Sequence, residues 1–299
     1  MDRSKMNLLM AINRKYIDQM KALLYSLGEN NDSDVDVYLI HRELKEDDIE
    51  DLQRTVQYTT KGALYEIELD DAFLPEAKVG HHFSIEMYYR IFASEFLPTD
   101  INRILWLDAD IIINNSLCEF YFQDFHGKSM VVCAHRERNK GNPIISLEAK
   151  ERLRLMGDEP YFNSGVILMN LEKIRREFNR DAVSNLILQM EDILNYPDQD
   201  ILNILYRNDV LWADYTKYNF QIHYDWKMEN EKEHIQKNVV IIHYAGPAKP
   251  WEFKSRHFSH AYYWKYYLKF GKRSVYNKIQ FESILYAMYI SLKRLRKGK

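Results

Sequence analysis

The stretch Arg103-Ile104-Leu105-Trp106-Leu107-Asp108-Ala109-Asp110-Ile111-Ile112-Ile113 decides the fold. An apolar run of strand character stops on two carboxylates and then resumes, which places an acidic pair at the carboxyl end of a strand. Ligands of open α/β sheets gather at such ends. Two unpaired carboxylates lodged against a core would be costly, so they need partners. An arginine would be the structural solution and a divalent cation the functional one. Hard oxygen donors suit Mg²⁺ or Mn²⁺, whose coordination substrate phosphates commonly complete.

Outward from this stretch the chain alternates. Met6 to Ile12 reads as a strand, and Tyr16, Met20, Leu23, Leu24 and Leu27 have helical spacing. Val35 to Ile40 and Leu64 to Leu69 are further strands around a charged helix over Lys45 to Tyr58, and His82 to Phe96 looks helical. Met130 to Ala134, Gly165 to Asn170 and Val239 to His243 follow as strands, with helices over Asp181 to Leu194 and Gln199 to Tyr206. This order predicts an α/β fold with a mostly parallel twisted central sheet flanked by helices. Other Asp-x-Asp triplets lack the apolar setting: Asp32 to Asp36 reads as a polar turn. Asp198, after Pro197, reads as a helix N-cap as well as a site residue.

The 299 residues are 46% apolar and 28% charged, an ordinary globular composition, and no linker or repeat divides them. We read a catalytic domain over 1–257 and an aromatic, basic helical extension over 258–299. A formal charge of -3 gives no global reason to expect a nucleic-acid partner. The N-terminal apolar run is too short for a signal peptide or membrane span, so the expected location is the cytoplasm. Cys118 and Cys133 have no metal-type spacing and read as small buried hydrophobes.

A second motif, His243-Tyr244-Ala245-Gly246-Pro247-Ala248-Lys249-Pro250-Trp251, ends a buried strand on an imidazole. Gly246 permits close approach of backbone to a ligand, and Lys249 offers a point cation for phosphate. His243 thus reads as a third metal ligand beside Asp108 and Asp110.

These two motifs, with Tyr161-Phe162-Asn163-Ser164-Gly165-Val166-Ile167-Leu168-Met169-Asn170-Leu171 and Pro197-Asp198-Gln199-Asp200-Ile201-Leu202-Asn203 in order between them, resemble glycosyltransferase family 8. That family includes the bacterial galactosyl- and glucosyltransferases of lipopolysaccharide synthesis and the glycogenins. The resemblance implies a GT-A fold, a UDP-hexose donor (galactose or glucose), Mn²⁺ or Mg²⁺ held by Asp108, Asp110 and His243, and a glycan, glycolipid or glycoprotein acceptor. It places Gly246 and Lys249 on the diphosphate, Arg90, Ala109, Asn163 and Ser164 around the donor, and Asp198 and Gln199 at the sugar as the catalytic pair. Ala11, Asn13 and Tyr16 fall beside the nucleotide. The chain departs from the family at Asn13, where an Asp-containing turn usually meets the base, and at His135, where some members place an acidic sugar contact.

A diphosphate leaving group develops negative charge that a metal and Lys249 would stabilise. A double displacement would need a carboxylate where this chain has Gln199, so we expect a front-face retaining transfer. A sugar-phosphate nucleotidyltransferase would want a Gly-rich phosphate loop, and residues 7–16 contain no glycine. A non-catalytic carbohydrate-binding module would have no use for the ligand triad. At the C-terminus, Phe281, Leu285, Met288, Leu292 and Leu295 alternate with Lys293, Arg294, Arg296 and Lys297, predicting a basic amphipathic helix. It would either lie on the inner face of the cytoplasmic membrane as a peripheral contact or pack on the domain or a second subunit. Residues 135–160 are the expected source of acceptor choice.

Overall fold

The computed structural model describes residues 5–69, 73, 85–135, 147–222, 229–246 and 249–297. Strands β1 (Met6–Ala11), β2 (Val35–His41), β3 (Lys61–Glu68), β4 (Arg103–Leu107), β5 (Ile111–Ile113), β6 (Met130–Ala134), β7 (Phe162–Asn170), β8 (Val210–Ala213), β9 (Phe220–Gln221) and β10 (Ile241–His243) form two sheets. The larger has the order β3-β2-β1-β4-β7-β6-β8, and the smaller the order β5-β10-β9. Helices α1 (Ile17–Asn30), α2 (Glu46–Thr60), α3 (Ala93–Phe96), α4 (Cys118–Tyr121), α5 (Leu147–Leu153), α6 (Leu171–Glu177), α7 (Arg180–Met190), α8 (Pro197–Tyr206), α9 (Tyr215–Tyr218), α10 (Glu231–Lys237), α11 (His260–Tyr267) and α12 (Arg273–Lys297) complete the chain.

The alternating pattern of the first 70 residues becomes the parallel half of the large sheet, with β1 between β2 and β4. Parallel strands buried on both faces are apolar throughout, and β2 is buried along its whole length. Past β4 the sheet turns antiparallel at β7, which pairs with both β4 and β6. The predicted α/β architecture is therefore present, and within the large sheet the antiparallel pairs are those of β7.

Several local expectations change. The segment 85–92 is a 3₁₀ helix that runs into α3, and α6 precedes the helix expected after β7. Asp36 is not in a turn: it lies in β2, where its buried carboxylate accepts a bond from Ala63 N and pairs with Lys5. Asp198 is not the N-cap of α8 either. Tyr196 holds that place and Pro197 takes the first helical position, which its fixed φ suits. Cys133 is buried, and burial pushes its thiol pKa up; Cys118 is half-buried.

The small sheet sits at the C-terminal end of β4, because β5 follows Asp110 directly and pairs antiparallel with β10. One of its faces packs Ile112, Phe220 and Ile242 against Tyr263, Trp264, Tyr266 and Tyr267, so α11 is built into the body of the protein. Helix α12 differs. Tyr276 and Ile279 near its start pack against the same cluster, whereas Phe281, Leu285, Met288 and Leu292 further along are exposed. No helix among the described residues is long and apolar enough to cross a membrane.

Helix α8 is pinned to β7 by side chains. Asn203 accepts from Phe162 N and donates to Phe162 O, at 2.8 and 2.9 Å. Asp200, fully buried, accepts from Arg152, from the Tyr161 hydroxyl and from the backbone N–H groups of Asn195 and Tyr196. Removing such a hub takes the shared acceptor from the Tyr161 hydroxyl and two backbone amides and the carboxylate from the half-buried Arg152, so Asp200→Ala should lower unfolding stability by about 3 kcal/mol. Urea denaturation followed by circular dichroism measures it, and a change under about 1 kcal/mol would mean the hub is not structural.

Candidate active site

Asp108 and Asp110 flank the turn between β4 and β5, and His243 ends β10, which the pairing with β5 brings back over that turn. One ligand-capable atom from each of the three lies within 4.8 Å of the others. The approach is possible because residue 165 on β7 has no side chain. A Cβ there would stand 2.4 Å from His243 Cε1 and 2.8 Å from Asp108 Oδ2.

Each of the three keeps one lone pair unused. Asp108 Oδ1 accepts from Trp106 Nε1 at 3.0 Å and lies 3.1 Å from the Arg90 guanidinium, which turns Oδ2 towards His243. Asp110 Oδ2 binds the Lys249 ammonium, which also donates to Tyr244 O. Asp110 Oδ1 is buried and receives no hydrogen bond, although His243 Nε2 stands 3.2 Å away.

The reason is a relay of amides whose polarity starts at the backbone. Gly165 N–H donates to Asn163 Oδ1, so the Asn163 amide nitrogen must point the other way, onto Gln199 Oε1 at 2.9 Å. Asn219 Nδ2 also donates to Asn163 Oδ1, which leaves Asn219 Oδ1 to accept from His243 Nδ1 at 2.8 Å. With its proton on Nδ1, the imidazole presents a bare Nε2 to the Asp110 oxygen. Two lone pairs facing each other in a buried place call for a cation between them, so the donor set fits a hard divalent ion with mixed oxygen and imidazole ligation. Asp108, Asp110 and Asp198 carry three negative charges against Arg90 and Lys249, which leaves the cluster net negative.

Burial would raise the Asp110 pKa and the Lys249 ammonium lowers it, and the carboxyl lies below the usual carboxylate range. Burial lowers the Lys249 pKa and Asp110 more than restores it, so the ammonium stays charged. Asp198 goes the other way: burial pushes it up, Arg90 pulls it back only in part, and Asp108 adds to the rise. Its carboxylate is held by Arg90 Nε at 3.1 Å and the Ser164 hydroxyl at 3.0 Å. Arg90 also donates to Ser164 O at 2.6 Å and stacks on Trp106 at 4.3 Å, so one guanidinium ties β4, β7 and α8 together.

Gln199 Oε1 already accepts two hydrogen bonds, from Asn163 and from Ser164 N, while its Nε2 is buried with no hydrogen-bond partner among the described residues. Gly246 adopts φ +85° with open space around its α-carbon, so backbone conformation, not crowding, calls for glycine there. Tyr16, whose pKa burial raises, sits near Lys249 and both carboxylates and meets Trp251 edge-on. Ala109 is buried in the turn and Ala11 ends β1. Asn13 spends its Oδ1 on Lys15 N, capping a 3₁₀ turn. His135 lies 6.0 Å from the Tyr161 ring. Residues 136–146, part of the segment expected to choose the acceptor, and Pro247 and Ala248 lie outside the described residues.

Sequence reading missed Asn219, whose signal is nearly nil: an asparagine ahead of a two-residue strand looks like a turn residue. It missed Trp106 too, which reads simply as core.

An α/β sheet carrying a carboxylate pair and a histidine at its carboxyl ends, with a lysine over them, is the architecture of a nucleotide-sugar transferase of the GT-A type. The family model described as glycosyl transferase family 8 matches residues 7–255, and the chain belongs to that family. It is 26% identical over 254 residues to a lipopolysaccharide 1,2-glucosyltransferase of Escherichia coli K12, covering 82% of this chain and 72% of that protein. It is 26% identical over 212 residues to a lipopolysaccharide 1,3-galactosyltransferase of Salmonella typhimurium, covering 68% of this chain and 61% of that protein. Among solved structures it is similar to the galactosyltransferase LgtC in complex with donor and acceptor sugar analogues, with TM-score 0.72, 22% identity, and coverage of 88% and 96% of the two chains.

Because Asn219 orients His243, Asn219→Leu should weaken Mn²⁺ binding by about 10- to 100-fold with the fold retained. Electron paramagnetic resonance of free Mn²⁺ reads this directly, and unchanged affinity would remove Asn219 from the relay's function.

Proposed function

We propose that the protein is a retaining hexosyltransferase that moves galactose or glucose from a UDP-sugar to a glycan acceptor, with a divalent cation held by Asp108, Asp110 and His243. The observation that carries this reading is the convergence of three unused lone pairs, one on each of those residues, beside the Lys249 ammonium. Catalysis on residues 1–257 and acceptor recognition aided by 258–299 is the division we adopt. The named relatives act on lipopolysaccharide, which favours a saccharide of that class as acceptor.

When bound, the cation supplies Lewis-acid stabilisation of the departing diphosphate. Lys249 adds fixed positive charge where that negative charge grows, an interaction stronger in the transition state than before it. Gln199 is a poor nucleophile on two counts: it is an amide, and its oxygen is occupied by Asn163 and Ser164. What it offers a sugar is the N–H₂ group, a donor to a hydroxyl. Asp198, bound by Arg90 and Ser164, is positioned to orient the sugar through its hydroxyls rather than to attack. The bond from the anomeric carbon to the diphosphate oxygen breaks as the acceptor oxygen bonds on the same face. The acceptor proton passes to the departing diphosphate, and configuration is retained.

Donor hydrolysis across UDP-, GDP- and ADP-sugars, with Mn²⁺ and with chelator, tests the reading. One UDP-hexose should be hydrolysed, only with the metal, releasing the sugar with its starting anomeric configuration. Asp110→Asn should reduce turnover by at least about 100-fold while circular dichroism stays unchanged. Turnover that survives either chelator or this substitution would remove the metal assignment.

The reading extends to the membrane. The exposed stripe of Phe281, Leu285, Met288 and Leu292, with Lys278 and Lys293 beside it and further basic residues following in sequence, suits the anionic surface of the inner leaflet. The protein should cosediment with phosphatidylglycerol vesicles and not with neutral ones, and Leu285→Glu with Met288→Glu should abolish the binding. Equal cosedimentation with neutral vesicles would contradict it.

A further inference from the structure

A cavity of about 320 Å³ opens between the loop that follows Lys249 and the first half of α12. Pro250 forms one wall, Arg256, Phe258 and His260 another, and Gln280 and Ser283 reach in from α12. We propose, on the glycosyl-transfer reading above, that this cavity is a subsite for a phosphorylated sugar unit of the acceptor, distinct from the donor site.

The walls have the chemistry of such a ligand. Arg256 is exposed and has no carboxylate partner among the described residues, and its planar fork matches a phosphate with paired hydrogen bonds. The side chains of Gln280 and Ser283 make no hydrogen bond to other described residues, although Ser283 is only 3% exposed. A buried hydroxyl and an amide without protein partners are free to bond sugar hydroxyls. Phe258, 41% exposed, offers an apolar surface to the C–H face of a pyranose ring. Burial, with His257 nearby, pushes the His260 pKa down to about 4, so this ring adds no charge at neutral pH. Its Nε2 is 3.3 Å from Ser255 Oγ. The volume lies at the lower end of the roughly 300–1,000 Å³ range of small-molecule sites, which suits one substituted monosaccharide.

Position argues for the acceptor. The family match ends at residue 255, and Arg256, Phe258, His260, Gln280 and Ser283 all come from beyond it. Donor chemistry is what members of a family share, so a pocket assembled from outside the shared region is suited to a choice particular to this chain. It is also near the transfer centre along the chain: Pro250 follows Lys249 directly, and Lys249 bonds Asp110.

The test uses the full chain and glucose 6-phosphate as probe, with binding followed by saturation-transfer NMR with and without saturating UDP and Mn²⁺. The probe should bind, should not be displaced by UDP, and should bind at least about tenfold more weakly to Arg256→Ala and to Gln280→Leu. Glucose and inorganic phosphate, the latter read by its displacement of the probe, should each bind more weakly than the joined molecule. No binding, displacement by UDP, or undiminished binding by a folded Arg256→Ala would overturn the subsite. Phosphate alone binding as tightly as the probe would overturn its sugar half. UDP–Mn²⁺ thermal shifts on the same samples keep the two readings separate. A chain that binds UDP but not the probe loses the subsite and keeps the transfer reading; one that binds the probe but not UDP loses the acceptor role.

Discussion

Asp108 and Asp110 leave the same strand end with their charges close together in a half-buried setting, where water screens them only in part. Everything around them answers that repulsion. Arg90 takes one oxygen of Asp108, Lys249 takes one oxygen of Asp110, and each carboxylate is left with its other oxygen turned towards His243. The cations come from segments far apart in the chain, so the electrostatics of two residues hold together the 3₁₀ helix before α3, the β4–β5 turn and the loop after β10.

The second constraint is hydrogen-bond polarity. Backbone N–H groups cannot be reversed, and those of Ser164 and Gly165 orient Gln199 and Asn163. Through Asn219 that orientation reaches His243 and decides which of its nitrogens is bare. The same relay occupies the Gln199 oxygen and leaves its buried nitrogen unbonded among the described residues. One backbone segment of β7 therefore sets both which His243 nitrogen is bare and which Gln199 group stays unbonded, and the absent side chain of Gly165 gives the space for His243, Asp108 and Asn163 to meet.

The C-terminal part serves two purposes. Helix α11 is structural, burying its aromatic side chains against the small sheet and supporting the strand that carries His243. Helix α12 contributes Gln280 and Ser283 to a cavity near its start and leaves an apolar stripe uncovered further along. The polar cavity and the exposed apolar stripe thus lie on one helix, about one to two turns apart.

By itself the sequence determined the α/β alternation, the strand ending on Asp108 and Asp110, the pairing of that motif with His243 and Lys249, and the family. These are legible because they depend on local periodicity and on residue types whose burial has few physical solutions. Only the tertiary structure decided the rest. It made β7 antiparallel, moved Asp198 from a cap to a ligand of Arg90, and brought Asn219 to His243 across 24 positions of chain. It also assembled a cavity from Pro250 and Ser283, which no spacing rule connects. Hydrogen-bond direction and long-range register follow from which backbone groups meet in space, and a linear pattern carries no record of that meeting.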